Sequence, residues 1–231
     1  MIPEIAMGEA LAAAAFLDHG RPRTSPFLHV DEHCIVAVKP HGLLSVQGRG
    51  EGGLDCFAAR VQAVHADALV VHRLDMATSG LMVFARGALA QRRLSDAFAK
   101  REVTKRYIAV VAGHVADDEG EIDLPLYPDW PNRPRQVVDR VNGKACLTRF
   151  RVLSRARDPG TTRVELQPVT GRSHQLRVHL QAIGHPILGD ALYAGDAVES
   201  LAPRLLLHAA SLHFAHPIDG APIACESPAP F

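Results

Sequence analysis

The sequence predicts a single α+β domain over residues 24–231, with a mixed, mainly antiparallel sheet and few helices. Three observations predict it. Short runs rich in apolar and β-branched residues recur along the chain, separated by Gly, Pro and Asp turns. Only two later segments, 88–99 and 173–184, carry apolar residues at helical spacing. The chain has 231 residues, 47% of them hydrophobic and 22% charged, enough to bury a core without disulfide or metal support.

The elements follow in order. Residues 1–23 read as an extension, a short helix or disordered. They superficially resemble a signal peptide, but Glu4 and Glu9 stand where a signal is basic, and no Lys or Arg precedes Arg21. The apolar run is also too short to span a bilayer. "FLHVDEHCIVAV" predicts two short strands around an Asp-Glu turn, and "KPHGLLSVQGRG" a loop. Leu69 to Phe84 reads as strand, loop, strand, with Thr78-Ser79-Gly80 as the turn. Residues 88–99 predict an amphipathic helix with Leu89, Leu94 and Phe98 inward and its basic residues outward. "TKRYIAVVAG" predicts a strand, "LPLYPDWPNRPR" an irregular Pro-rich loop, and "TRVELQPVTGR" a strand into a turn. "SHQLRVHLQAIG" predicts a helix with Ser173 as N-cap, Leu176, Leu180 and Ile183 as its apolar stripe, and Gly184 as its stop. "RLLLHAASLHFAHP" closes the chain with one or two strands.

Charge alone announces no partner, since 25 basic residues balance 25 acidic ones. The distribution is uneven. Between Arg86 and Tyr107 the chain is strongly basic, and between Asp117 and Asp123 it is acidic. The four cysteines are scattered without C-x-x-C spacing and read as free thiols in a reducing cytosol. Among the 13 histidines, His208, His213 and His216 form a loose group without the context of a ligand site, so no metal is expected.

Three stretches invite chemistry, and each has a plain alternative. In "LVVHRLDMATSGLMVFAR", Asp75 could simply form a turn. A carboxylate between apolar segments is costly to ionise unless a cation is near, however, so Asp75 is either paired or present for its reactivity. In "VTGRSHQLRVH", Arg177 is either a solvated surface residue or a buried one that reaches a carboxylate elsewhere. In "KRYIA", Tyr107 is either core packing or a flat face for a base.

"HRLDMATSG", "KRYIA" and "TGRSHQLRVH", with "VKPHGLL" ahead of them, resemble in order and separation the motifs of the RluA family of RNA pseudouridine synthases. The resemblance runs over roughly residues 27–231. It implies the pseudouridine synthase fold, with a central RNA-binding cleft flanked by helices and loops, and no N-terminal S4 domain. It implies isomerisation of uridine to pseudouridine in structured RNA, namely ribosomal and transfer RNA stem-loops, including the anticodon stem-loop. No cofactor, metal, membrane or obligatory protein partner is implied. Residue by residue, Asp75 is implied as the essential carboxylate, Arg177 as its salt-bridge partner and Tyr107 as the group against the uracil. Arg73 is implied to fill the space of a flipped-out base. His72, Thr78, Leu176, Arg172 and His174 join it around the substrate. Arg92, Arg93, Lys105 and Arg106 are expected to meet the RNA backbone, or failing them the loops around Lys39, Arg49 and Arg133. Two alternatives stay open: a member with one ribosomal target, and a non-catalytic RNA-binding or chaperone module.

Overall fold

The computed structural model describes residues 25–48, 55–158 and 160–231. The expected N-terminal extension and Arg49 lie outside them. The chain divides into two compact units, residues 1–103 with 211–227, and residues 104–210 with 228–231.

The first unit opens with the antiparallel hairpin β1 (Phe27–Val30) and β2 (Cys34–Lys39). β2 pairs in turn with β4 (Ser79–Arg86), and β3 (Ala68–Val70) adds to the same β4. β2 is buried along its whole length and β4 along all but its last residue. That explains their continuous apolar sequence, where a half-exposed strand would alternate. Cys34, Val36, Val38, Leu81, Val83 and Ala85 form one core with Leu212, Phe214 and Cys225. On this core lies helix α2 (Ala88–Lys100), through Ala90 and Leu94, with Ala97 and Phe98 packed beside them. That i, i+4, i+7, i+8 stripe leaves Leu89 one residue off the buried face. Leu89 is 46% exposed, against the inward position its spacing predicts. The short helix α1 (Phe57–Gln62) is N-capped by Cys56 and sets Phe57 against Phe84, ring centroids 5.7 Å apart.

In the second unit β5 (Thr104–Ala112), β10 (Thr161–Pro168), β9 (Leu147–Ala156) and β6 (Glu119–Asp123) pair antiparallel in that order. The Pro-rich stretch is not an irregular loop. It is a hairpin of β7 (Leu126–Pro128) and β8 (Gln136–Val138) around a 3₁₀ turn at Trp130–Asn132. Three of its prolines fall at the strand end or in the connection, where they remove no ladder donor. Helix α3 (Gln175–Ala182) packs Val178 with Leu126, Cys146 and Tyr193. Gly184 follows it with φ +85°, as a helix stop requires. Ile183 lies beyond the helix and is 37% exposed, so it is not part of the buried stripe. The one-turn helix α4 (Asp196–Glu199) leads to β11 (Leu207–Ala215). β11 leaves this unit at Ala210 and continues in the first, where Ser211–Ala215 pairs with β12 (Pro222–Glu226). The four cysteines are buried and unbridged.

Candidate active site

Between β3 and β4 the chain crosses residues 71–78, and this loop carries Asp75. The turn expected at Thr78-Ser79-Gly80 lies earlier, where the Thr78 N–H donates to the Asp75 carbonyl at 3.1 Å. Ser79 and Gly80 already belong to β4, because the ladder with β2 runs on to the Lys39–Gly80 pair. Thr78 is buried, Asp75 half-buried and Arg73 exposed.

The loop is held from below. Lys39, expected as a group for an RNA surface, is instead 0% exposed. Its ammonium donates to the carbonyls of Pro40, Leu43 and Met76, at 2.8, 2.8 and 3.1 Å. The Met76 carbonyl also accepts from Gly42 N–H. Ser45 Oγ donates to the Leu74 carbonyl at 2.6 Å and accepts from Leu74 N–H at 3.0 Å. His72 accepts the Val83 N–H on Nε2 at 3.0 Å and stacks on Phe98, centroids 4.4 Å apart. Residues on both sides of Asp75 are thus tied down, Leu74 to Ser45 of the preceding loop and Met76 to Lys39 at the end of β2, which holds the backbone that carries the carboxylate.

On β5, Tyr107 is half-buried and lies opposite Leu166 of β10. Lys105, two residues earlier, has its ammonium pKa lowered by burial. Arg106 is half-exposed, with Glu165 at 3.7 Å, and Glu165 also takes Arg151 at 3.0 Å. On α2, Arg92 is exposed. Arg93 spends donors on the Pro217 and Ile218 carbonyls at 2.8 and 3.3 Å.

The stretch from Thr170 to Tyr193 is organised by groups that spacing did not single out. The expected cap, Ser173, does not cap α3. The N-cap is His174, in left-handed backbone with φ 55°, and it makes no side-chain cap bond. Gln175 orders the entry instead. Its Oε1 accepts from Thr170 Oγ1 and Arg172 N–H, and its Nε2 donates to the Leu147 carbonyl and Thr148 Oγ1. Arg172 itself is exposed, and Leu176 is buried.

Arg177 is 4% exposed, so the solvated-surface alternative is overturned. Its guanidinium forks onto Asp190, with Nε–Oδ2 2.8 Å and Nη2–Oδ1 2.6 Å. Asp190 Oδ1 also accepts the N–H groups of Leu192 and Tyr193. The Tyr193 ring lies 5.0 Å from the Arg177 guanidinium carbon, and its hydroxyl bonds His174 Nδ1 at 2.6 Å. Asp190 is the residue the sequence reading missed. The signal was present, since it too is a lone carboxylate after an apolar run, in "HPILGD". His179 is fully buried, with Nε2–H donating to the Leu124 carbonyl and Nδ1 accepting from Thr148 Oγ1. Burial lowers its pKa.

The loop of the first unit therefore carries His72, Arg73, Asp75 and Thr78. The second unit carries Lys105, Arg106 and Tyr107 on one strand, and Arg172, His174, Leu176 and Arg177 at one helix start.

Residues 33–182 match the model of the RNA pseudouridylate synthase family. The chain is 52% identical over 202 residues to the dual-specificity RNA pseudouridine synthase RluA of Yersinia pestis, covering 87% of this chain and 98% of that protein. It is 47% identical over 213 residues to the protein of the same name from Pasteurella multocida, covering 91% and 97%. Among solved structures it resembles human RNA pseudouridylate synthase domain containing 1, with TM-score 0.75 and 27% identity over 89% of this chain and 83% of that one. Human RNA pseudouridylate synthase domain containing 4 gives TM-score 0.70 and 27% identity over 97% and 94%.

Proposed function

This chain belongs to the RNA pseudouridylate synthase family and isomerises uridine in RNA, and on that premise we propose how its residues carry the reaction. In the isomerisation the N1–C1′ bond of a uridine breaks, the uracil turns, and a C5–C1′ bond forms. The proton leaves C5 and N1 gains one, so atoms balance within the nucleotide and water.

Asp75 acts as nucleophile or base on this nucleotide. The observation that carries the reading is the anchored loop: a half-buried carboxylate whose neighbours on both sides are bonded to buried side chains, Ser45 and Lys39. In this reading Arg177, oriented by its fork onto Asp190, is the cation that favours the ionised carboxylate of Asp75. Tyr107 lies against the uracil and assists proton transfer at C5, with Leu176 as apolar wall. A base in a stem or structured loop must first be flipped out, at a cost of a few kcal/mol. Arg73, exposed on the same loop, takes the vacated place, where its planar group stacks. His72, Thr78, Arg172 and His174 shape the surroundings of the substrate. Arg92, Lys105 and Arg106 meet phosphates, and Arg93 does so with whatever donors its carbonyl partners leave. Residues 24–231 work as one catalytic domain in this reading.

The substrates are stem-loops of ribosomal and of transfer RNA. The name shared by relatives 52% and 47% identical, "dual-specificity", supports two RNA classes. No helix among the described residues is long and apolar enough to cross a membrane. We place the protein in the cytoplasm, with its RNA. Site-by-site pseudouridine mapping of cellular RNA, with and without the gene, tests the assignment. Sites in both RNA classes should disappear and return with the wild-type chain, but not with Asp75→Asn. Restoration by Asp75→Asn would remove Asp75 from the chemistry, and loss in one RNA class alone would leave a single-target enzyme.

A further inference from the structure

The first unit holds a second cluster of chemistry-bearing groups, at the turns of two hairpins. Asp31, in the β1–β2 turn, presents its Oδ2 to three other donors. His29 Nε2 lies at 2.6 Å, Cys34 Sγ at 3.6 Å and His216 Nε2 at 3.6 Å. The ligand atoms of His29, Asp31 and Cys34 all lie within 4.8 Å of one another. The sequence reading grouped His216 with His208 and His213, but its companions here come from the other end of the chain.

We propose that His29, Asp31 and Cys34 form a binding site for a borderline divalent cation of the zinc type, with His216, 3.6 Å from Asp31, drawn in as the fourth ligand, which fastens the β1–β2 turn to the β11–β12 turn.

Geometry supports it. Tetrahedral zinc, with bonds of roughly 2.0–2.3 Å, separates neighbouring ligand atoms by roughly 3.3–3.7 Å. The Asp31–Cys34 and Asp31–His216 separations already have that length. The His29–Asp31 separation is that of a shared proton, and must open by under about 1 Å when the proton is replaced by the metal.

The donor set supports it as well. One carboxylate and one thiolate neutralise a divalent ion, the His29 imidazole is the third ligand, and the His216 imidazole becomes the fourth once its ring closes on the group whose atoms lie within 4.8 Å of one another. The supporting bonds are of the type that orient metal ligands. Asp31 Oδ1 is held by the N–H groups of His33 and Cys34, both at 2.7 Å, which aims Oδ2 at the cluster. His216 Nδ1 is bonded to Asp219 Oδ1 at 2.7 Å, leaving Nε2 to face inward. Asp219 Oδ1 also accepts Ala221 N–H, so the orienting carboxylate is itself anchored. The nearby cation Arg86, which donates to the Asp31 carbonyl, has its charge met by Asp67 at 2.8 Å.

Access fits the same reading. Cys34 is fully buried and the His216 side chain 11% exposed, whereas the His29 and Asp31 side chains are about 30% exposed and open to an arriving ion.

The test titrates cobalt(II), then zinc(II), into the chelator-stripped full chain. One equivalent of cobalt should give tetrahedral d–d bands and a thiolate-to-cobalt charge-transfer band, and zinc should bleach both. Cys34→Ser should lose the charge-transfer band. His29→Gln, at the exposed rim, should weaken affinity at least tenfold without unfolding the chain. Asp219→Asn should weaken it by about 10–100-fold while keeping the band. Zinc should raise the melting temperature of the wild type and not of Cys34→Ser. No cobalt spectrum at a tenfold excess overturns the site and leaves a hydrogen-bonded cluster. A charge-transfer band that persists in Cys34→Ser overturns this ligand set.

Discussion

Arg177 and Asp190 meet through two hydrogen bonds of 2.8 and 2.6 Å, with side chains 5% and 1% exposed. Such a pair is costly to halve, because the survivor keeps a buried charge without its partner. Arg177→Met or Asp190→Asn should lower unfolding free energy by about 3–5 kcal/mol, read by urea denaturation. Arg177→Lys should also be destabilised, since an ammonium cannot reproduce the fork. Losses under about 1 kcal/mol in all three would mean that the pair is solvated.

Tyr107 offers a ring and a hydroxyl, and two variants separate them. Tyr107→Phe should bind RNA as the wild type does, but turn over more slowly in single-turnover assays. Tyr107→Ala should lose both binding strength and rate, stacking being worth about 1–3 kcal/mol per base. Equal behaviour of the two would show that the ring does not stack on the substrate.

Lys39 is the foundation of the Asp75 loop. Lys39→Met keeps the stem's volume and removes the donor to the Pro40, Leu43 and Met76 carbonyls. A loss of about 1–3 kcal/mol is expected for each carbonyl that finds no water. The single-turnover rate should drop even below the unfolding temperature, because Met76 follows Asp75 directly. A variant with wild-type rate and lowered stability would confine Lys39 to the core.

The basic helix makes a salt-dependence prediction. Each phosphate contact contributes roughly 0.7–0.9 to the slope of log affinity against log salt. Arg92→Ala should flatten the slope by about that much. Arg93→Ala should flatten it less, since Arg93 already donates to two carbonyls. Neither should change the chemical step at saturating enzyme. An unchanged slope in the double variant would move the RNA surface off this helix.

His179 sets an acid limit. Burial lowers its folded pKa below the ordinary value of about 6.5, so between the two values the unfolded chain binds the extra proton. Its contribution is fully present above pH about 6.5 and falls as pH drops toward the depressed folded value. Urea midpoints at pH 7.5, 6.5 and 5.5 should decline in that order, and less steeply in His179→Gln. Parallel declines in both would assign the acid sensitivity to other groups.

The strands were legible because their evidence is local. "FLHVDEHCIVAV" and "TKRYIAVVAG" carry apolar runs bounded by turn formers, and both gave strands where expected. The β7–β8 hairpin was not legible, since its prolines read as loop and only their placement outside the ladder reconciles them with strands. Asp190 as partner of Arg177, Gln175 in place of Ser173, and Lys39 beneath Met76 were hidden for a different reason. Each is fixed by a partner that only the folded chain supplies, at separations of 13, 27 and 37 residues.

His72 stands three residues before Asp75, and in linear form the two read as an acid–base dyad. A backbone N–H can only give its proton, so the Val83 bond fixes His72 Nε2 as the bare nitrogen and commits its lone pair. The proton then sits on Nδ1, and the ring has no basic site left to lend to a reacting nucleotide. On the role proposed for Asp75, proton traffic on this loop falls to the carboxylate. The enzyme carries thirteen imidazoles, yet the one three residues before Asp75 is a mortise joint between loop and strand.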